Sequence, residues 1–382
     1  MQLTKEEESA LDGTQGDAIA AAYRVLVAIG EATEAERLVT IEWAHISGVN
    51  YNTIGAAGVD FLEGFAAEAR SVVKTTINPM GYDTTKPENI SPNFKQQQLR
   101  IISAYERMGV TPSFTCTPYE VFDLPQKDSL VSFAESNAAV YSNSILGLRT
   151  NKESGLSALA SSVTGKAPLS DLRMDQYRKP TVGLRPTFEF SNELDYGLLG
   201  FFAGKAAKSS CIALHGIDVL SIINAKALSA GMGTSGSCGM FSTDKSNEEI
   251  SYDRSEASNV TDELNTAERG EIIAVGSPQL GISELQLLAN LSRGKKFTKR
   301  CMIFCSRSIH AQATKMGLAS EIEKTGAEIF CDSCTCLTPY VSKDEVDSVV
   351  TTSVKAAYYF NNSSKVGVVL KDFRSIANEY MN

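Results

Sequence analysis

The stretch from Thr115 to Pro168 carries the residues whose types and spacing most readily do chemistry. Cys116 lies near its start, in a polar segment where a thiolate can reach a ligand. Glu135 and Ser136 precede an apolar run of helical period, which predicts a helix beginning near Ser136. A helix N-terminus has free amide donors and a partial positive charge, so this stretch is a candidate anion site. Taken alone, Glu135 and Ser136 are better interpreted as an ordinary helix start, because acidic residues and serine favour first turns.

The eight cysteines indicate reduced thiols rather than disulfides, because the chain begins without an export signal. Cys301, Cys305 and Cys331 fall within predicted buried strands, and we interpret them as core thiols. Cys116 and Cys334 each follow a strand in a polar loop, where both a metal-binding and a structural role stay open. Because the chain has only three histidines, any transition-metal site would depend on thiolates.

The composition is that of a globular protein and excludes several classes of partner. Of its residues, 43% are hydrophobic and 21% are charged, as in ordinary globular proteins. Its length of 382 residues is enough for two or three packed units. Its net charge of -9 and lack of a long basic run argue against binding nucleic acid or an anionic membrane surface. No apolar run approaches the roughly 18 residues that span a membrane, so we expect no membrane segment and a cytoplasmic location.

The predicted elements repeat the order strand, polar loop, helix, which is typical of parallel α/β architecture. In the first half, residues 38–46 and 71–77 read as strands, and helices are predicted near 51–69 and 95–108. Ligands of such sheets bind outside the carboxyl ends of the strands. Two α/β layers facing each other across a cleft would bring these strand ends together. The strand-end residues are Gly48, Asn78, Cys116, Ser277, Arg307, Cys334 and Lys355.

Other segments are less regular. We predict one helix over residues 4–30 and an exposed connection over 241–266. Residues 231–240, GMGTSGSCGM, lack the spacing of a phosphate-binding loop, and a tight backbone packing site is the better interpretation. We divide the chain into an N-terminal α/β region, 1–266, with substrate loops and the first candidate metal thiol. The C-terminal α/β region, 267–382, contains the remaining loops.

Several long and unusual stretches follow one another along nearly the whole chain. They are AHISGVNYNTIGAAGVDFLE, KTTINPMGYD, TCTPY, AESNAAVYSNSILGLRTNKESGLSALASSVTGKAP, VGSPQLGISEL, DSCTC and TTSVKAAYY. In this order they resemble the aconitase X family. SGVNYNTIGAAG and NPMGYD are more similar to the archaeal members that act on phosphomevalonate than to the bacterial hydroxyproline dehydratases.

The resemblance implies an aconitase-like α/β fold, with parallel sheets flanked by helices and a cleft between α/β layers. It implies a hydro-lyase that dehydrates (R)-5-phosphomevalonate to trans-anhydromevalonate 5-phosphate, in a mevalonate pathway of isoprenoid biosynthesis. The family uses an iron–sulfur cluster as Lewis acid, 4Fe-4S or possibly 3Fe-4S as isolated. By position, the substrate-binding residues would be Gly48, Val49, Asn50, Asn78, Pro79, Glu135, Ser136 and Lys355.

The same resemblance makes Cys116 and Cys334 cluster ligands, and Ser277 stands where the family usually has a third cysteine. A serine alkoxide can bind iron, but it is a harder and weaker ligand for a cluster than a thiolate. Cys305 and Cys336 are alternative third ligands.

Aconitase X enzymes also need a small swivelling domain that supplies a catalytic serine as the base. The chain ends at Asn382 without one, so we expect a separate small subunit and a heterodimer or larger assembly. Two other hypotheses stay open. One is dehydration of cis-3-hydroxy-L-proline or another small hydroxy acid; the other is a non-catalytic, cluster-free homologue that binds a partner, suggested by Ser277. The presence of Glu135, Ser136, Asn78 and Lys355 argues against a pure scaffold, which needs none of them in a cleft.

Overall fold

Four β-sheets form the framework of the protein in the computed structural model, which describes residues 1–207, 210–217 and 220–382. Three of these sheets are parallel throughout, and the fourth is a two-stranded antiparallel ribbon. Helices pack around them, so the predicted α/β class is confirmed. Within the described ranges, no helix combines the length and apolar character needed to cross a membrane.

The N-terminal part is built on a three-stranded parallel sheet of order β3-β2-β4, beside the β1/β5 ribbon. Its strands are β1 Leu38–Thr40, β2 Trp43–Ile46, β3 Lys74–Ile77, β4 Val131–Phe133 and β5 Lys166–Pro168. Its helices are α1 Lys5–Leu11, α2 Asp17–Ala32, α3 Tyr51–Glu68, α4 Pro92–Arg107, α5 Pro118–Val121, α6 Ser136–Tyr141 and α7 Gly155–Thr164.

The middle part has a four-stranded parallel sheet of order β8-β7-β6-β9. Its helices α8 and α9 pack closely against each other through glycines. Its strands are β6 Val182–Pro186, β7 Cys211–Leu214, β8 Met240–Ser242 and β9 Glu248–Tyr252. Its helices are α8 Glu193–Ala206, α9 Ile222–Ser235 and α10 Arg254–Leu264.

The C-terminal part has a five-stranded parallel sheet of order β12-β11-β10-β13-β14, buried on both faces. Burial on both faces explains why these strands read as continuous apolar runs in the sequence. Its strands are β10 Ile272–Val275, β11 Cys301–Cys305, β12 Ala327–Cys331, β13 Ser348–Thr351 and β14 Gly367–Leu370. Its helices are α11 Ile282–Leu291, α12 Arg307–Lys315, α13 Leu318–Glu323, α14 Val354–Tyr359 and α15 Phe373–Glu379.

Two predicted elements are each divided in the structure. The helix expected over 4–30 is α1 and α2, separated by a turn in which Gly13 and Gly16 both have a φ of 96°. That backbone conformation favours glycine, so the turn is encoded locally. The strand expected over 38–46 is β1 and β2, which belong to different sheets.

The predictions for the middle part had mixed outcomes. The segment expected to be an exposed connection, 241–266, is mostly exposed, but the expectation of a plain connection is wrong because the segment contains β9 and α10. The tight packing expected for the glycine-rich stretch is confirmed, although α9 extends into it. A Cβ atom on Gly231 would lie 2.2 Å from the carbonyl oxygen of Gly197 in α8. The two glycines therefore allow the helices to approach at backbone distance.

The carboxyl ends of the three-stranded and five-stranded sheets open toward a common space. Helix α6 begins directly after β4, where the side chain of Glu135 accepts a hydrogen bond from the backbone of Asn137 as N-cap. Helix α14 begins after β13 with Ser353 as its N-cap. These short strand-to-helix connections fix the side chains that line the space between the sheets.

Candidate functional site

A cavity of about 440 Å³ lies where the two sets of strand ends meet. The structure brings into its lining every residue that the family resemblance marks as substrate-binding, as a cluster ligand or as the replacement of one, although the role of each residue stays a prediction. These residues are Gly48, Val49, Asn50, Asn78, Pro79, Cys116, Glu135, Ser136, Ser277, Cys334 and Lys355. The lining also includes Ser47, Asn52, Thr53, Ala134, Cys336, Leu337, Tyr359 and Ser363.

An ion pair between Lys355 and Glu135 is the main charged feature of the cavity. Nζ of Lys355 donates to Oε1 of Glu135 and, over 3.0 Å, to Oδ1 of Asn137. The other carboxylate oxygen of Glu135 accepts from Nδ2 of Asn78 at 2.6 Å. Both charged residues are only 7% exposed. The pair is therefore held rigidly by hydrogen bonds from three chain segments.

Both members of this pair are ionised at neutral pH. Burial acts to raise the pKa of Glu135, but the charge of Lys355 and the hydrogen bonds from Lys355 and Asn78 hold that pKa below its usual value. Burial acts to lower the pKa of Lys355, and the carboxylate of Glu135 outweighs it and raises that pKa. The carboxylate is consequently a poor proton acceptor, whereas the ammonium can attract an anionic group of a ligand.

His45 lies behind this pair and has no solvent exposure. Its Nε2 is 2.9 Å from Oδ1 of Asn78, and its Nδ1 is 2.8 Å from Oγ1 of Thr76. Because Asn78 donates to Glu135 through Nδ2, its oxygen faces His45 and must accept, so Nε2 carries the proton. Oγ1 of Thr76 accepts from Nε1 of Trp43 at 3.0 Å and donates to Nδ1 of His45. Every donor in this chain of contacts thus has an acceptor.

His45 is neutral in the folded protein. Burial lowers its pKa to about 4, and the nearby charge of Glu135 opposes that shift only in part. We did not predict His45 or Asn137 as site residues. A signal for both was present, because His45 lies on the strand that leads into the Ser47 loop and Asn137 directly follows Ser136. Asn137 also donates to the carbonyl oxygen of Cys116 at 3.0 Å.

Gln279, in the loop after β10, forms hydrogen bonds to the two loops that carry Cys116 and Cys334. Its backbone N–H donates to Sγ of Cys116 at 3.1 Å. Its side-chain Nε2 donates to the carbonyl oxygens of Phe114, at 3.2 Å, and Ser333, at 3.0 Å. Phe114 lies two residues before Cys116, and Ser333 directly precedes Cys334. One side chain therefore fixes the spacing of the thiol loops.

Cys334, Cys336 and Ser277 all line the cavity, and their side chains affect one another's protonation. Interaction with Cys336 lowers the pKa of Cys334, and the hydroxyl of Ser277 adds to that shift against the effect of burial. Burial raises the pKa of Cys116, and the charge of Glu135 raises it further.

The side chains of the cavity fit an iron–sulfur cluster better than a single metal ion. Across the described residues, no group of three His, Cys, Asp or Glu side chains could hold one ion. However, three thiols line the cavity, on Cys116, Cys334 and Cys336, and the hydroxyl of Ser277 lies beside the last two. Clusters are held by thiolates, so this donor set can bind one.

Two other sequence candidates lie outside the cavity lining. Arg307 is engaged by Asp332, at 2.7 Å, and by Asp83, at 2.9 Å, so it joins the loop after β3 to the loop after β12. Cys305 lies opposite Cys331 in the five-stranded sheet, and both thiols are buried. The interpretation of these two cysteines as core thiols is confirmed.

Comparisons with known proteins agree with this geometry. Residues 1–176 match the aconitase X first domain, 180–277 the second domain and 270–382 the third domain. A crystal structure of Thermococcus kodakaraensis aconitase X in its holo-form superimposes with a TM-score of 0.92 at 32% identity, covering all of both chains.

Two curated relatives have different names. The phosphomevalonate dehydratase large subunit of Methanocaldococcus jannaschii is 35% identical over 98% of this chain and 99% of the relative. The cis-3-hydroxy-L-proline dehydratase of Hypocrea jecorina is 30% identical over 94% of this chain but only 65% of the relative. With all three domains present in order, the chain belongs to the aconitase X family.

Proposed function

We propose that the chain is the large subunit of a hydro-lyase that removes water from (R)-5-phosphomevalonate and yields trans-anhydromevalonate 5-phosphate. One structural observation carries the proposal: a single cavity joins the Lys355–Glu135 ion pair to a set of thiol donors. The near full-length similarity to a phosphomevalonate dehydratase large subunit supports this substrate. The reaction would belong to a mevalonate pathway of isoprenoid biosynthesis.

The substrate carries a carboxylate, a tertiary hydroxyl and a phosphate, and the cavity offers partners for its anionic groups. Lys355 can attract the carboxylate while it remains bound to Glu135. Hydroxyl groups of Ser47, Thr53 and Ser363 are donors for phosphate oxygens. The backbone beside Gly48 and Val49 can approach a ligand closely, whereas the side chain of Asn50 is engaged by Leu337 and Asn52.

Dehydration requires loss of a proton beside the carboxylate and of the neighbouring hydroxyl. A bound iron–sulfur cluster, which we propose to be held by Cys116 and Cys334, would supply a Lewis acid for the leaving hydroxyl. Lys355 orients the carboxylate, and Glu135 and Asn78 keep Lys355 in place. Because Glu135 is a poor proton acceptor, the base must come from another group.

We propose that a small subunit supplies that base, as a serine hydroxyl. The relative from Methanocaldococcus jannaschii is named a large subunit, which implies a partner of this kind. The partner would close the cavity and exclude water from the reacting carbon. We also propose that the enzyme is cytoplasmic.

The assay that tests this proposal uses the chain co-expressed with its small subunit and purified without oxygen. The complex is incubated separately with (R)-5-phosphomevalonate, with mevalonate and with cis-3-hydroxy-L-proline, and products are followed by NMR. We expect water loss from the phosphorylated substrate alone. Turnover of cis-3-hydroxy-L-proline instead would favour the second activity found among the relatives. No turnover of any of the three would favour a non-catalytic homologue.

The cluster is tested separately from the reaction. We expect Cys116→Ala and Cys334→Ala each to lose bound iron while the far-ultraviolet circular dichroism spectrum is retained. Both residues lie in loops beyond the strand ends, so removing either thiol leaves the sheets intact. Unchanged iron content in either variant would remove that cysteine from the ligand set.

A further inference from the structure

Cys336 is a thiol of the cavity without an assigned role. It is 2% exposed and lies in the cavity wall next to Cys334, from which a single residue separates it. Cys334 and Ser277 line the same cavity, and both side chains affect the pKa of the Cys336 thiol. A buried thiol beside a second cavity thiol is positioned to bind the same metal group.

Ser277 and Cys336 are both candidates for the third cluster ligand, and they differ in the type of donor atom. Iron in a sulfide cluster takes thiolates in preference to alkoxides, because sulfur is the softer donor. Ser277 and Cys336 both line the cavity and both lower the pKa of Cys334, so donor type decides between them. Cys305 is excluded by position, since it lies within β11 opposite Cys331.

The loops that carry the three thiols are already fixed relative to one another. Gln279 joins the segment of Cys116 to the segment of Cys334 through its backbone and side chain. Oγ1 of Thr335 lies 3.6 Å from Sγ of Cys336, and Oγ of Ser364 donates to the carbonyl oxygen of Cys336 at 3.2 Å. The ligand loops are therefore preorganised, and binding a cluster would require little further ordering of the chain.

We infer that Cys336 is the third protein thiolate of the cluster, together with Cys116 and Cys334, and that Ser277 donates a hydrogen bond to a ligand sulfur rather than binding iron. This inference rests on the cluster of the proposed function. On binding, the Cys336 thiol releases its proton to solvent and its sulfur forms a bond to iron. Hydrogen bonds to ligand sulfurs tune the reduction potential of a cluster, which gives the Ser277 hydroxyl a distinct effect.

The test measures iron and acid-labile sulfide per chain after anaerobic reconstitution of the full-length protein with its small subunit. The variants are Cys336→Ala, Ser277→Ala and the control Cys305→Ala. We expect iron to fall by about tenfold or more in Cys336→Ala. Ser277→Ala and Cys305→Ala should keep the wild-type iron content, and Ser277→Ala should shift the reduction potential. Wild-type iron in Cys336→Ala would overturn the inference, as would loss of iron in Ser277→Ala alone.

A double variant distinguishes a lost ligand from a damaged fold. Because Ser277 lines the same cavity as Cys334 and Cys336, a thiol at position 277 can serve the same iron. We expect Ser277→Cys to restore iron to the Cys336→Ala background, with the electron paramagnetic resonance spectrum of the wild type. Failure of this rescue in a protein that keeps its melting temperature would count against the inference.

These readouts are independent of turnover. If the complex binds iron through Cys336 but leaves phosphomevalonate unchanged, the proposed reaction fails and the ligand assignment stands. If the wild type dehydrates phosphomevalonate yet binds no iron, the ligand assignment fails and the reaction stands.

Discussion

Two buried lysines with carboxylate partners lie in different settings in this protein. Lys355 pairs with Glu135 at the wall of a cavity. Lys226 is bound by Glu120 at 2.7 Å and Glu284 at 2.6 Å, and only 1% of its surface is exposed. The chemistry of the contacts is similar, but the space beside them differs. The Lys355–Glu135 pair lines a cavity of about 440 Å³, which can hold a ligand, whereas Lys226 and Glu284 line a cavity of only about 40 Å³.

The positions of the three residues in the Lys226 cluster explain the difference. Glu120 lies in the first aconitase X domain, Lys226 in the second and Glu284 in the third. Burial acts to lower the pKa of Lys226, but the two carboxylates outweigh it and raise that pKa. A charge cluster buried among three domains can hold them together, whereas one that borders a cavity large enough for a ligand can bind that ligand. The comparison therefore predicts loss of stability in one place and loss of turnover in the other.

The largest effect should come from Lys226→Met. It leaves two carboxylates buried without a cation, so we expect the free energy of unfolding to fall by about 3–5 kcal/mol. Turnover per folded molecule should stay unchanged. Denaturant titration followed by fluorescence measures the first quantity. Lys205→Met, which removes an exposed ion pair with Glu263, is the control and should cost about 1 kcal/mol or less. Equal losses in the two variants would remove the distinction between sealed and exposed pairs.

Lowering the pH should change the stability of the fold in opposite directions through His45, behind the cavity pair, and Glu284, in the Lys226 cluster. His45 has a pKa of about 4 when folded and 6.5 ordinarily, so the unfolded chain binds its proton first as pH falls. The contribution of His45 to the free energy of unfolding is complete above pH 6.5, and about 3 kcal/mol of it is lost as the pH falls toward 4. Burial raises the pKa of Glu284 to about 7, so its protonation favours the folded state over part of the same range. His45→Gln should weaken the acid-induced loss of stability, and Glu284→Gln should deepen it; unchanged slopes in both would contradict this account.

Removing the cavity cation should mainly affect catalysis. We expect Lys355→Met to reduce kcat/KM for phosphomevalonate by about a hundredfold or more, because a fixed charge for the substrate carboxylate is lost. Its stability loss should be smaller than that of Lys226→Met, since Glu135 borders a cavity that admits water. Steady-state kinetics and thermal unfolding on the same preparation test both parts, and wild-type kinetics in Lys355→Met would exclude its role as a substrate contact.

Glu135→Gln and Glu120→Gln form a matched pair for the carboxylates. The first removes the charge that holds Lys355, so we expect turnover to fall by about tenfold with iron content unchanged. The second should lower stability and leave turnover per folded molecule intact. Wild-type activity in Glu135→Gln would return that residue to the role of a helix cap.

The smallest effect concerns the hydrogen bond from His45 to Asn78. His45→Leu removes the donor, and we expect turnover to fall by about two- to tenfold, the value of one hydrogen bond. His45→Gln keeps an N–H at the position of Nε2 and should retain more activity. Equal activity in the two variants would mean that the tautomer of His45 does not position Asn78.

The C-terminal strands and the residues at their ends could be predicted from the sequence, because each strand is a short apolar run followed by a polar loop. Parallel topology then brings strand ends together, which is why the predicted residues share one cavity. The roles of these residues were predicted from the resemblance to a family rather than from their spacing.

Features that depend on distant pairing could not be predicted in this way. The division of residues 38–46 depends on β5, which pairs with β1 from more than a hundred residues away. The contacts of Lys226 join residues 106 and 58 positions apart, and nothing local in the sequence indicates them. The tautomer of His45 is set by hydrogen bonds that pass through Asn78 and Thr76, so it required the structure.

The most direct test of the central claim compares the wild type, Lys355→Met and Lys226→Met, each with the small subunit and without oxygen. Formation of trans-anhydromevalonate 5-phosphate from (R)-5-phosphomevalonate is measured per folded molecule. We predict product from the wild type and Lys226→Met, and almost none from Lys355→Met. Equal product from all three, or none from the wild type, would contradict the assignment of this cavity as a dehydratase site.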